Sequence, residues 1–255
     1  MGKESLFVGF TLDGNRRLKA EELGINTSDL TTQQIEIAYR AGGEVAKNII
    51  EEARELRLSI IALWALSCKN MEQRPDEQKE AIFRILDDYL KDLDENWIDK
   101  SKNSEVKLVH LGRREMLEQS APDVMKRLDA LRKKTCERTG MVVALCLDYD
   151  TVNEHRRALR DYLRAGIIGG ENGPTINFEQ FLDLAREGVP YQELDLRIRT
   201  GEDGGRYNHN NGFLNNYDYG EARDVYHKIY LPDYTIEMFR RDVKELMYSP
   251  KRRGA

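Results

Sequence analysis

Residues 59–67 read Ser-Ile-Ile-Ala-Leu-Trp-Ala-Leu-Ser, an unbroken apolar run of strand length. A strand with one wet face alternates apolar and polar residues, whereas one covered on both faces does not. Ser59 to Leu66 is therefore expected to be an interior strand of a parallel sheet. Upstream, Thr31 with Gln34 three residues later spells a capping box, which opens a helix expected to run to about Leu56. Along it Ile35, Ala38, Ala41, Val45, Ile49, Ala53 and Leu56 recur every three or four residues and make one apolar stripe. Further upstream, Leu6 to Leu12 reads as a short buried strand ending on the turn signal Asp13-Gly14-Asn15. Strand, long amphipathic helix and strand make a βαβ unit.

Downstream the alternation continues. Pro75 suits the first turn of a helix carrying Ile82, Phe83, Leu86, Tyr89, Leu90 and Leu93. A strand follows at Val106 to Leu111, then a charged helix from roughly Arg114 to Cys136. Met141 to Leu147 reads as a strand and Glu154 to Ala165 as a helix. Leu194 to Ile198 and His227 to Leu231 are further strand candidates, and a closing helix covers Thr235 to Tyr248. This order predicts the α/β class: a single domain over residues 1–255 with a mostly parallel sheet joined by right-handed crossovers. The Gly/Asn-rich stretch 201–216 is the one long irregular segment, and loops of that length often carry function.

The chain has 255 residues, 40% hydrophobic and 33% charged, which supports a sizeable core under a charged surface and excludes disorder and collagen-like repeats. Forty Lys+Arg against 45 Asp+Glu leave a net charge of −5, so the whole chain has no global attraction to nucleic acid or anionic membrane. Any anion site must come from local clustering of arginine. Cys68, Cys136 and Cys146 lack CxxC spacing and point to free thiols in a reducing compartment. The opening MGKESLFVGF lacks the pattern of a secretion signal, and the longest apolar run falls far short of the ~20 residues of a membrane span. The expected location is the cytoplasm, with peripheral membrane contact if the substrate is a lipid.

In open parallel sheets ligands bind beyond the carboxyl ends of the strands. The candidate polar groups fall there. Asp13, Asn15, Arg16 and Arg17 follow the first strand; Ser67, Asn70 and Arg74 follow the second. Arg197, Arg199, Thr200, Glu202, Asp203 and Arg206 follow the late strand, and Glu221 lies beyond the long loop. Carboxylates among several arginines suit a phosphate ester held by guanidinium forks and a bridging Mg²⁺. Each piece alone has a plainer account. Asp13-Gly14-Asn15 is a common turn, Ser67 could be a helix cap, and arginines on a strand end could be solvated. Their order and placement together favour a site.

That order resembles the cis-prenyltransferase family, of the undecaprenyl and dehydrodolichyl diphosphate synthase type. The family's DGN(G/R)RWA stands here as Asp13-Gly14-Asn15-Arg16-Arg17-Leu18-Lys19-Ala20. Its H-x-A-G is Tyr39-Arg40-Ala41-Gly42, and its F-S-x-E-N-x-x-R-P is the run from Leu66 to Pro75. D-L-x-I-R-T-x-G-E-x-R matches the run from Asp195 to Arg206. A-E is Gly220-Glu221, L-W-P-D-F is Tyr230-Leu231-Pro232-Asp233-Tyr234, and the terminal R-x-G is Arg252-Arg253-Gly254. The match spans nearly the whole chain.

The resemblance implies a six-stranded parallel sheet flanked by helices, and a homodimer or heterodimer. It implies condensation of isopentenyl diphosphate, or another small acceptor, with an allylic prenyl diphosphate, assisted by Mg²⁺. Asp13 matches the aspartate that handles the allylic diphosphate through the metal, and Glu221 a glutamate linked to the same metal. Gly14, Asn15, Arg16 and Arg17 match the loop cradling that diphosphate, with Tyr39 and Arg74 on substrate-binding positions. Ser67 and Asn70 match positions near proton removal. Arg199, Arg206 and Asn208, the last a serine in the family, match the second diphosphate pocket. Arg252 and Arg253 belong to the tail that reaches across the dimer.

The chain departs from the pattern in places. Tyr39 replaces a histidine, Ile35 an arginine and Leu18 a tryptophan. N-Y-G-G-R is replaced by Asp148-Tyr149-Asp150-Thr151-Val152-Asn153, and the segment to Arg206 is one residue longer. These changes leave two alternatives beside ordinary elongation: an atypical prenyl coupling, giving a branched product or using another acceptor, and a non-catalytic support subunit. Retained Asp13 argues against the last, whereas the altered middle motifs argue for it. The helices at Thr31–Leu56 and Pro75–Leu93 could line a tunnel for the prenyl tail, although most of their apolar residues are expected to be plain core. His110, His155 and His227 read as structural. His209 is read as a surface-loop residue, which with Tyr207 could shape an acceptor pocket.

Overall fold

The computed structural model describes residues 6–100, 105–164, 188–190, 194–201 and 222–248. Six strands form one sheet, all parallel, in the order β3-β4-β2-β1-β5-β6. They are β1 (Phe7–Thr11), β2 (Ile60–Ser67), β3 (Lys107–Leu111), β4 (Val142–Tyr149), β5 (Leu196–Thr200) and β6 (Arg223–His227). Eight α-helices connect or flank them among the described residues: α1 (Asn15–Leu23), α2 (Thr32–Glu55), α3 (Cys68–Gln73), α4 (Asp76–Asp92), α5 (Arg114–Ser120), α6 (Pro122–Thr135), α7 (Thr151–Arg164) and α8 (Ile236–Tyr248).

Strand alternation divides the core into two layers. Val8, Phe10, Ile61, Leu63 and Ile198 point to one face, where Ile49, Ala53, Leu90, Leu128 and Phe239 of the helices cover them. Phe7, Ile60, Ala62, Val142, Ala144 and Tyr149 point to the other. Burial on both sides explains why β2 carries no polar alternation. The capping box of α2 is formed: Thr31 Oγ1 accepts from the Gln34 amide at 3.3 Å, and Gln34 Oε1 accepts from the Thr31 amide at 2.8 Å.

Three expectations are corrected. The charged helix expected from Arg114 to Cys136 is two helices. Ala121 adopts φ −148°, ψ 64° because the ring of Pro122 clashes with a helical residue before it. The last strand lies at Arg223–His227 rather than His227 to Leu231, because Leu231–Asp233 form a 3₁₀ turn around Pro232. The Asp13-Gly14-Asn15 turn leads directly into α1, a helix not foreseen from the sequence.

Cys68 and Cys146 are buried and Cys136 is exposed. Burial pushes both inner thiols upward in pKa, away from the reactive thiolate. An aromatic disulfide reagent is expected to titrate one thiol in the native protein and three in denaturant. A second fast thiol without denaturant would contradict this placement.

Candidate active site

Asp13 and Thr200 stand at the carboxyl ends of adjacent strands, β1 and β5, and the chain clamps them together. Thr200 Oγ1 donates to the Asp13 carbonyl at 2.7 Å and accepts from the Asp13 amide at 3.3 Å. The Leu231 amide donates to the same carbonyl at 3.1 Å. Gly14 follows at φ 109°, and a Cβ there would fall 2.7 Å from the Tyr230 ring. Only glycine fits that left-handed, crowded position, so the turn aims Asp13 outward as α1 begins.

The Asp13 carboxylate lies between two guanidinium groups. Arg17 Nη2 reaches Oδ1 at 2.9 Å and Arg199 Nη2 reaches Oδ2 at 2.7 Å. Burial raises the Asp13 pKa, but the charge of Arg17 and the hydrogen bond from Arg199 outweigh it and hold the carboxyl below its ordinary value. Gly201, at φ 135°, leaves room for Arg17, whose Nη2 would lie 2.9 Å from a Cβ there. The guanidinium of Arg17 also faces the Tyr230 ring at 5.8 Å.

A second basic group flanks the first. The guanidinium of Arg74 lies over the Tyr39 ring at 5.5 Å, and its buried Nε–H has no acceptor among the described residues. Burial lowers the Arg74 pKa, with Tyr39 opposing that shift. Arg16 donates to Gln78 Oε1 at 3.1 Å, tying α1 to α4. Behind this cluster an apolar cavity of about 130 Å³ runs between α2, α4 and the sheet. Leu12, Asn15 and Tyr39 line it near the cluster; Ala46, Ile50, Leu86, Leu90 and Leu93 line it beyond.

Not every expected residue is placed as read. Asn15 is buried and turned from the turn toward α2, so close that a Cβ on Gly42 would fall 2.1 Å from its Oδ1. Ser67 is the N-cap of α3 and accepts from the Asn70 amide at 3.2 Å, so the plainer account of that stretch holds for its backbone. The ladder of β2 against β4 shifts register between Trp64 and Ser67, which re-aims the strand end into α3. Arg197 does not join the cluster; it makes a bidentate pair with Asp224 of β6 at 2.6 and 2.8 Å. Ile35, where the family has arginine, is buried with Ala20 and Leu30. Glu202, Asp203, Arg206, Tyr207, Asn208, His209, Glu221, Arg252 and Arg253 lie outside the described residues. Sequence reasoning quoted Tyr230 only as the first residue of the late motif, in the place of the family's leucine, and did not assign it to the site.

Guanidinium groups at the mouth of an apolar cavity on a parallel sheet suit a ligand with an anionic head and a hydrocarbon tail. Residues 11–254 match the family described as putative undecaprenyl diphosphate synthase, and the chain belongs to that family and is a prenyltransferase. An isoprenyl transferase of Aquifex aeolicus is 28% identical over 246 residues, covering 96% of this chain and 93% of the relative. A tritrans,polycis-undecaprenyl-diphosphate synthase (geranylgeranyl-diphosphate specific) of Pyrobaculum aerophilum is 30% identical over 191 residues, covering 74% and 72%. In fold, the chain is similar to lavandulyl diphosphate synthase from Lavandula x intermedia, solved with dimethylallyl diphosphate. The TM-score is 0.77 at 18% identity over 97% of each chain.

Proposed function

We propose that this prenyltransferase condenses an allylic prenyl diphosphate with isopentenyl diphosphate in the cis manner and releases diphosphate. The observation that carries the reading is the Asp13 carboxylate held between Arg17 and Arg199 at the mouth of the apolar cavity. When the allylic C–O bond breaks, the electron pair leaves with the diphosphate. Pre-positioned cations lower that barrier because they need not reorganise as the charge grows. Arg17, Arg199 and Arg74 can turn their N–H groups from carboxylate and ring toward phosphate oxygens, and the idle Nε–H of Arg74 supports that role. The acceptor double bond then attacks the allylic carbon and one proton is lost from the acceptor. The hydrocarbon tail occupies the cavity, where it is out of water.

Magnesium belongs to the same proposal. Among the described residues no group of three acidic, histidine or cysteine side chains gathers into a metal cage. Mg²⁺ commonly binds through one or two carboxylates plus substrate phosphates, and Asp13 supplies one such carboxylate with lone pairs beyond those used by the arginines. Bound there, the ion would neutralise leaving-group charge. On family resemblance alone we extend the reading to one domain working as a cytoplasmic homodimer.

The test is mass spectrometry of purified protein with Mg²⁺ and dimethylallyl, geranyl or farnesyl diphosphate, each with and without isopentenyl diphosphate. A ladder of longer diphosphates that requires isopentenyl diphosphate is expected. A product from the allylic donor alone would replace elongation by another coupling. No product from any pairing would point to a support subunit.

A further inference from the structure

The short segment from His227 to Tyr234 lies against the Asp13 turn. It leaves β6 at His227, the ladder partner of Thr200, and reaches α8 through the 3₁₀ turn Leu231–Asp233. Between its ends it touches the site three times. The Ile229 carbonyl accepts from the Gly201 amide at 2.7 Å, and the Leu231 amide donates to the Asp13 carbonyl at 3.1 Å. Between those bonds the Tyr230 ring lies against Gly14 and beneath the Arg17 guanidinium.

One carboxylate holds both ends of this segment. His227 Nε2 meets Asp242 Oδ2 at 2.6 Å, and the Tyr234 hydroxyl donates to the same oxygen at 2.8 Å. The two rings meet edge to face with centroids 5.1 Å apart. Asp242 stands on the buried face of α8 with Phe239 and Val243, and only 3% of it is exposed. From the surface, Arg241 approaches its other oxygen at 3.5 Å. Burial and the charge of Asp242 push the Tyr234 pKa up, so the hydroxyl keeps the proton of this bond. None of the three lines the apolar cavity; what they hold is the segment between them.

A short segment tied at both ends to one atom has little freedom to slide. Released there, it could carry Tyr230 off Gly14 and let Arg17 follow, and a displacement of about 1 Å can cost 10²-fold in rate. Accepting that Asp13 and Arg17 handle a diphosphate, we propose that Asp242 is a positioning residue of that site. It ties His227 to Tyr234 and thereby fixes Tyr230, the Gly14 turn and Arg17 for the ligand.

Three measurements test this on the full chain: amide hydrogen exchange, calorimetric binding of inorganic diphosphate, and diphosphate release from geranyl diphosphate. In Asp242→Ala, exchange at the Gly201 and Leu231 amides is expected to rise about tenfold beyond any rise at Val143 in β4. Inorganic diphosphate should bind more weakly, and diphosphate release should slow at least about tenfold. Asp242→Asn keeps an oxygen that can accept both bonds and should recover most of the rate. In a Tyr230→Ala background, adding Asp242→Ala should slow release by less than about twofold more, because the ring that transmits the effect is already gone. Should Asp242→Ala fail to fold, Tyr234→Phe removes one of the two ties and keeps the ring, with a smaller loss in the same direction. Losses from Tyr230→Ala and Asp242→Ala that multiply in full would make Asp242 a stabilising residue only and overturn the role. Wild-type binding and release in Asp242→Ala would overturn it too, while leaving the proposed function in place. A wild type that binds neither inorganic nor geranyl diphosphate would instead remove the proposed function, and the role with it.

Discussion

Asp13→Asn is expected to lower turnover by roughly 10²–10³-fold while the protein stays folded. Asparagine keeps the shape of the side chain and removes its charge, so the variant isolates electrostatics from packing. In the wild type the carboxylate pairs with both Arg17 and Arg199 and offers a carboxylate to a metal-bound diphosphate. The arginine side chains keep 32% and 23% of their surface in water, so losing their counter-charge has little effect on stability. Because the Asp13 carboxyl titrates below its ordinary value, it stays ionised well into acid. Its contribution to stability is present above the unfolded carboxylate pKa and is lost only as pH falls through the lower folded value. Turnover should therefore show no acid limb from Asp13 between about pH 5 and 8. Diphosphate release and a thermal melt, run on both proteins across that range, check each part. A variant with wild-type turnover would remove Asp13 from the reaction.

What could be read without coordinates followed the strength of the local signal. β2 was legible because burial on both faces leaves an unbroken apolar run, and α2 because its capping box and stripe agree. The helix break at Ala121 was also written in the sequence, in Pro122, but the charged periodicity of the flanks runs straight through it. The Asp13, Arg17 and Arg199 meeting was legible only as three strand-end positions. Their convergence depends on β1 and β5 being neighbours, and the separation of 186 positions from Asp13 to Arg199 carries no mark of it. Tyr39 and Arg74 were singled out separately, yet their stacking needs α2 to lie beside the turn between α3 and α4. Lys47 and Asp92 were invisible. On a helical wheel each is a charge on a solvated face, and only packing of α2 against α4 pairs them at 2.6 Å beside the cavity.

Arg113→Met is expected to be among the most destabilising substitutions outside the hydrophobic core. Asp148, at the end of β4, has no exposed side-chain surface, and Arg113 holds it with two bonds, Nε to Oδ2 at 3.0 Å and Nη2 to Oδ1 at 2.7 Å. The hydrogen bond to Asp148 keeps the Arg113 pKa above its ordinary value. Removing one partner of such a pair strands a buried charge, at a cost of about 3–5 kcal/mol. For a chain of this size that lowers the melting temperature by roughly 6–20 °C. The loss would also reach the candidate site. Arg113 Nη1 holds Glu72 of α3 at 2.7 Å, and the Asp148 carbonyl accepts from Cys68 Sγ at 3.1 Å, so the helix capped by Ser67 rests on this pair. Adding Asp148→Asn should recover most of the stability, because asparagine is neutral and tolerates the φ of 52° found there. Asp148→Ala would also remove the charge but strains the left-handed backbone, so in the same background it should recover less. Urea melts of the wild type, the single variant and the two double variants measure the order directly. A single variant within 1 kcal/mol of wild type, on the scale given above for a broken buried pair, would mean that water reaches Asp148 and that α3 is anchored by its packing on β2 and β4 alone.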